Sequence, residues 1–111
     1  MAAEPTLGEF EQITLLAILR LGENAYGVTI GAEIARCTGR KTSPGALYTT
    51  LERLESKRMV KTAVGDPTPA RGSRAKRFYT VTALGIKAVA RAQQSYQRLL
   101  EGIQLPGVAH A

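Results

Sequence analysis

At 111 residues, 44% of them apolar, the chain is long enough for one compact domain with an additional helix. Its net charge of +6 and isoelectric point near 9.9 favour a polyanionic partner. The composition also excludes several classes. No run approaches the ~20 consecutive apolar residues of a membrane helix. The single cysteine, Cys37, cannot close an internal disulfide, and with His110 as the only histidine there is no Cys/His cluster for zinc. No cofactor is expected.

The chain starts Met1-Ala2-Ala3-Glu4-Pro5, without a basic region followed by an apolar run, so a cytoplasmic location is expected. A first helix is predicted from about Gly8 to Leu21. Phe10, Ile13, Leu16, Ala17 and Leu21 recur at helical spacing, and Leu15, Ile18 and Leu19 widen the apolar surface nearly all round. Such a helix needs cover on more than one side, from its own domain and from a partner chain. Gly22-Glu23-Asn24 ends it. A second helix is predicted over Tyr26–Thr38, with Val28, Ile30, Ile34 and Ala35 inward, Cys37 as small filling, and Gly39 as its stop.

The strongest start signal is Ser43-Pro44-Gly45-Ala46. Serine accepts a hydrogen bond from an unpaired helix N–H, and proline fits the first helical position, where its missing N–H would have had no partner. A third helix follows from Pro44 to about Lys57, burying Leu47, Leu51 and Leu54 and directing Tyr48, Thr49, Glu52 and Arg53 elsewhere. The period then changes. Met59–Val64 and Arg77–Thr82 read as two strands of a hairpin, joined by the Pro- and Gly-rich basic loop 65–76. A last helix is predicted from the N-cap Thr82 to about Ile103. Along it Val89, Ala92, Tyr96, Leu99 and Ile103 alternate by three and four, which reads as a heptad seam for a partner helix, the alternative being a helix docked on its own domain.

The expected fold is mainly α with a small β-hairpin (α+β). It comprises a winged helix-turn-helix domain over 1–82 (wing 59–82), a C-terminal dimerisation helix over 83–104 and a flexible tail over 105–111. In that order of elements the third helix enters the major groove of double-stranded DNA, and the hairpin reaches an adjacent phosphate or minor groove. The charge distribution agrees. Between Arg36 and Arg77 eleven basic residues stand against three acidic ones, a net of +8 that leaves −2 for the rest of the chain.

The candidate DNA contacts begin with Lys41, Thr42, Ser43 and Gly45, at the positive end of the third helix. Tyr48, Thr49 and Arg53 follow on its exposed side, and Arg71, Gly72, Arg74 and Lys76 in the wing. Tyr48 reads either as a stacking contact or as a half-buried core residue. Arg36 and Arg40 either offset the C-terminal dipole of the second helix or reach a phosphate. Lys57, Arg58 and Lys61 read as a solvated edge.

Over about Leu7 to Leu100 the chain resembles the PadR family of transcriptional regulators, in its short form with one C-terminal helix. Three stretches carry the resemblance. They are Tyr26-Gly27, then Ser43-Pro44-Gly45-Ala46-Leu47-Tyr48-Thr49-Thr50-Leu51-Glu52-Arg53-Leu54-Glu55, and last Arg74-Ala75-Lys76-Arg77-Phe78-Tyr79-Thr80-Val81-Thr82-Ala83-Leu84-Gly85. The resemblance implies a homodimer that binds palindromic operator DNA and represses a promoter, with release on binding a small-molecule inducer or under stress. It also implies that the last helix, through Val89, Ala92, Tyr96, Leu99 and Ile103, forms most of the dimer interface together with the first helix at Phe10. Some short members are thought to stack flat drugs on a tryptophan at the dimer centre. This chain has no tryptophan, and Tyr96 is the only aromatic of its last helix.

An enzyme is not expected. There is no Gly-rich phosphate loop, no nucleophile with a histidine in a folded region, and no clustered carboxylate pair. The alternative is a winged-helix protein–protein interaction module that does not bind DNA, which exposed acidic or apolar residues on the third helix would favour.

Overall fold

The computed structural model of the chain describes residues 6–65 and 76–107. Helix α1 spans Glu9–Leu21 and carries Glu9 and Glu11 in its first turn, where carboxylates offset the positive helix end. A short 3-10 turn, Gly22–Asn24, leads to α2, Gly27–Thr38, which stops at Gly39 in the left-handed conformation (φ 73°) with its N–H on the Ala35 carbonyl. Helix α3, Pro44–Ser56, opens as the sequence predicts, with Ser43 Oγ accepting from the Ala46 N–H at 3.2 Å.

Strands β1 (Val60–Val64) and β2 (Arg77–Val81) pair antiparallel from Val60↔Val81 to Val64↔Arg77. A third edge that the sequence did not reveal completes the sheet. The Ala25 carbonyl accepts from the Tyr79 N–H at 2.8 Å, and Tyr26 bridges Phe78, so the residues just before α2 lie along β2. Helix α4, Ala83–Leu100, starts at Thr82, whose hydroxyl oxygen accepts from the Gly85 N–H and donates to the Arg58 carbonyl.

One core joins these elements: Leu15 and Ile18 of α1, Ile30 and Ile34 of α2, Leu47, Leu51 and Leu54 of α3, and Met59, Val60, Tyr79 and Val81 around the hairpin. The predicted stripe of α1 is out of phase. Of its residues only Ala17 is buried, Phe10, Ile13 and Leu21 pack partly buried against the core and Leu16 is exposed, whereas Leu15 and Ile18 are buried. A helix apolar nearly all round has the helical period but no preferred face, so its neighbours decide which residues turn inward. Val28, predicted inward, is 74% exposed, because the first turn of α2 runs beside an open groove shared with Thr42 and Tyr48. Cys37 is likewise exposed rather than filling the interior.

The last helix differs most from expectation. Val89 belongs to the chain's own core at 5% exposure instead of to a partner-facing seam. Gly85 sits so close that a Cβ there would meet the Met59 carbonyl and lie 2.8 Å from Val81 Cγ1. After Ala92, Tyr96 and Leu99 project at 49% and 75% exposure. The helix ends at Leu100, leaving Ile103 beyond it in a turn. The projection stretches the molecule: its radius of gyration is 16.3 Å, against about 13 Å for a compact chain of this length.

Candidate nucleic-acid interface

The α3 surface is assembled by its own leucine stripe. With Leu47, Leu51 and Leu54 in the core, Tyr48, Thr49 and Arg53 emerge on the other side of the helix, all exposed. Lys41, Ser43 and Gly45 are exposed at its start. Ser43 takes the Ala46 N–H and Pro44 has none, so Gly45 supplies the remaining donor of the first turn. Thr42 is half-buried beside them, and its hydroxyl has no hydrogen-bond partner among the described residues. Thr49 ties its hydroxyl to the Gly45 carbonyl at 2.9 Å but keeps its lone pairs for accepting.

The structure places Tyr48, Arg36 and Arg40, the residues for which the sequence left two readings open. Tyr48 is half exposed and not a core residue. Its hydroxyl leans over the start of α2, where a Cβ at Gly27 would lie 2.7 Å from it. Arg40 reaches Glu9 at 2.9 Å and lies 5.2 Å from the Phe10 ring centroid, so it ties the loop before α3 to α1 and covers Phe10 from within the chain. Arg36 pairs with Glu33 at 2.6 Å.

Cations therefore fall into two groups. Arg20 and Arg36 share Glu33, whose carboxyl the hydrogen bonds from Arg36 and then Arg20 pull down to about 2. Lys57 donates to both oxygens of the buried Glu11 at 2.8 and 2.9 Å, fastening the end of α3 to α1. Burial alone would raise the Glu11 pKa. The Lys57 hydrogen bond, the Gly8 N–H and the charges of Lys57 and Arg53 outweigh it and hold the carboxyl below its usual range. By contrast, Lys41 and Arg53 form no ion pair among the described residues. The braces are spent inside the molecule, while the α3 cations face outward.

At the wing, Lys76 is exposed at the root, where its carbonyl accepts from the Gly65 N–H at 2.8 Å. Its ammonium stands 4.5 Å from the centroid of the Tyr26 ring. Arg71, Gly72 and Arg74 lie outside the described residues. The sequence reading gave no role to Tyr26, Gly27, Glu11 or Glu33. Tyr26-Gly27 stood out only as one of the stretches that carry the family resemblance. Of the residues expected at a dimer interface, Ala92 is half-buried, Tyr96, Leu99 and Ile103 are exposed, and Phe10 and Val89 are engaged within the chain.

Three helices, a hairpin with a basic root and an outward polar face on the third helix define a winged helix-turn-helix. Residues 15–91 match the model of the transcriptional regulator PadR-like family, and the chain belongs to that family. It is a DNA-binding transcriptional regulator, and the family's proteins are regulators and not enzymes.

Solved structures agree. A PadR family transcription regulator from Clostridium difficile is 26% identical, covers 81% of this chain and 90% of its own, and superposes with a TM-score of 0.62. A transcriptional regulator from Clostridium thermocellum matches at 22% identity over 82% and 85% of the two chains, TM-score 0.68. RosR of H. salinarum matches at 20% over 92% and 84%, TM-score 0.69. No curated protein matches. Among the described residues, no helix is long and apolar enough to cross a membrane.

Proposed function

We propose that the chain acts as a homodimeric repressor, each protomer placing α3 in the major groove of one half of a palindromic operator and its wing on the flanking backbone. The observation that carries this reading is the outward face of α3. Tyr48, Thr49 and Arg53 are exposed there, with Lys41 exposed just before the helix and neither cation in an ion pair among the described residues, while Arg36, Arg40 and Lys57 are held by carboxylates. Major-groove readout needs such free donors. The exposed Tyr96, Leu99 and Leu100 of α4, together with Leu16 and Leu19 on the outer face of α1, support the dimer. In this reading the dimer spaces the two recognition helices by one helical turn of DNA, roughly 34 Å.

The test is a titration of native upstream intergenic DNA against a scrambled duplex at several salt concentrations, with the wild type and an Arg71/Arg74/Lys76 triple alanine variant. Binding that prefers the native duplex and falls steeply with salt, with a shallower slope for the variant, is expected. No preference for any duplex, with the dimer still present, would replace the proposal with the protein-interaction module.

A further inference from the structure

Most basic side chains described here that have a partner have a carboxylate. Lys76 has an aromatic ring. Its backbone is fixed by the Gly65 N–H, and its ammonium lies 4.5 Å from the Tyr26 ring centroid and donates to the Tyr26 hydroxyl at 3.4 Å. The distinction matters for binding. A carboxylate neutralises the cation it holds, whereas the face of a ring attracts the ammonium and leaves its full charge and remaining N–H groups for another acceptor.

Tyr26 is itself held firmly. Its N–H donates to Thr29 Oγ1 at 3.0 Å, its backbone bridges Phe78, and its ring meets the Phe78 ring edge-on at 5.5 Å and 71°. The next residue, Gly27, is the one over which the Tyr48 hydroxyl lies. The start of α2 therefore touches both DNA-facing parts: the recognition helix at Tyr48 and the wing root at Lys76.

We propose that Tyr26 is a positioning residue for DNA binding, its ring seating the Lys76 ammonium beside the recognition helix so that a backbone phosphate meets a cation already in place. The role rests on the DNA-binding reading above. A free lysine loses rotamer freedom when it clamps a phosphate, and one already seated on a ring loses less. Tyr26 adds no charge of its own, and in this role it acts on affinity through Lys76.

The experiment uses the full chain and the native upstream duplex, with Tyr26→Leu, Tyr26→Phe, Lys76→Ala and the Tyr26→Leu/Lys76→Ala double variant. Tyr26→Leu is expected to weaken binding about two- to fivefold without changing the salt slope, because the cation is still present. Tyr26→Phe keeps the ring and is expected to bind like the wild type. Lys76→Ala is expected to lower the salt slope by roughly one, and the double variant to bind no more weakly than Lys76→Ala. Multiplying losses in the double variant, or a Tyr26→Phe loss as large as that of Tyr26→Leu, would overturn the role.

A second measurement needs neither DNA nor a leucine variant that folds. In the wild type the Lys76 ε-methylene protons are expected upfield of free lysine through the ring current of Tyr26, and their absence there would equally overturn the proposal. A wild type that binds no duplex would end the DNA-binding reading and the role with it. The ring-current displacement would then still show whether the seat exists.

Discussion

The first and second halves of α4 share one apolar rhythm but have opposite fates. From Gly85 to Val89 the helix is part of the domain, with Gly85 against the Met59 carbonyl and Val89 in the core. From Tyr96 to Leu100 it adds no buried residue to that core, and Tyr96, Leu99 and Leu100 are exposed. The same three-and-four spacing thus serves intramolecular packing in one half and stands ready for intermolecular packing in the other. Stability is expected to reside in the first half and assembly in the second, and substitutions on either side separate the two.

The largest effect is expected at Gly85. An alanine methyl would press on a backbone carbonyl, which cannot rotate away as a side chain can, so Gly85→Ala is expected to cost about 3 kcal/mol of stability. Denaturant melts would register this as a lower midpoint with an unchanged slope. A midpoint equal to that of the wild type would show that α4 lifts off β2 at no cost.

Next is Leu99→Glu, at 75% exposure in the free half. A charge at the centre of a packed helix interface is expected to raise the dimer dissociation constant by about thirtyfold or more. Sedimentation equilibrium measures this directly. The dilute variant should retain the wild-type helical content. An undiminished dimer would move the interface away from α4.

Glu11→Gln probes the domain at the brace between α1 and the end of α3 and serves as the contrast. It removes the brace to Lys57 and is expected to cost about 1.5 kcal/mol while leaving dimerisation untouched. The pH dependence has a definite sign. Because the folded state holds the Glu11 carboxyl below its ordinary 4.5, the stability it adds is complete above that value and is lost as pH falls through the lowered one. The gap between wild type and variant should be constant near neutrality and close on acidification. A gap that widened in acid would contradict the assignment.

What the sequence disclosed follows the same division between local and distant causes. Ser43-Pro44, the Leu47/Leu51/Leu54 stripe, the Gly39 stop and both strands were legible because the signals lie within a few residues of the structure they specify. The phase of α1 was not, since an apolar surface all round leaves the choice of face to α2 and α3. Val89 was assigned to a partner because a docked helix and a heptad seam write the same pattern, and only the approach at Gly85 tells them apart. Of the interface, the α3 residues followed from its leucines. The bracing of Arg40 by Glu9 and the seat of Lys76 on Tyr26 join residues 31 and 50 positions apart, which no local pattern encodes.

The smallest effect tests how α4 is anchored at its start. Thr82 is its N-cap, accepting from the Gly85 N–H at 3.2 Å, and the same hydroxyl donates to the Arg58 carbonyl at 2.7 Å, where the chain turns at φ 61°. One side chain therefore fixes both the start of α4 and its direction relative to α3. Thr82→Ala is expected to cost about 1 kcal/mol, and Thr82→Ser, which keeps the hydroxyl, much less. If α4 sets the spacing of the two recognition helices, Thr82→Ala should also weaken operator binding at concentrations where the protein remains folded and dimeric. Equal stability loss without that weakening would mean that the direction of α4 is set by the packing of Gly85 and Val89 and not by its cap.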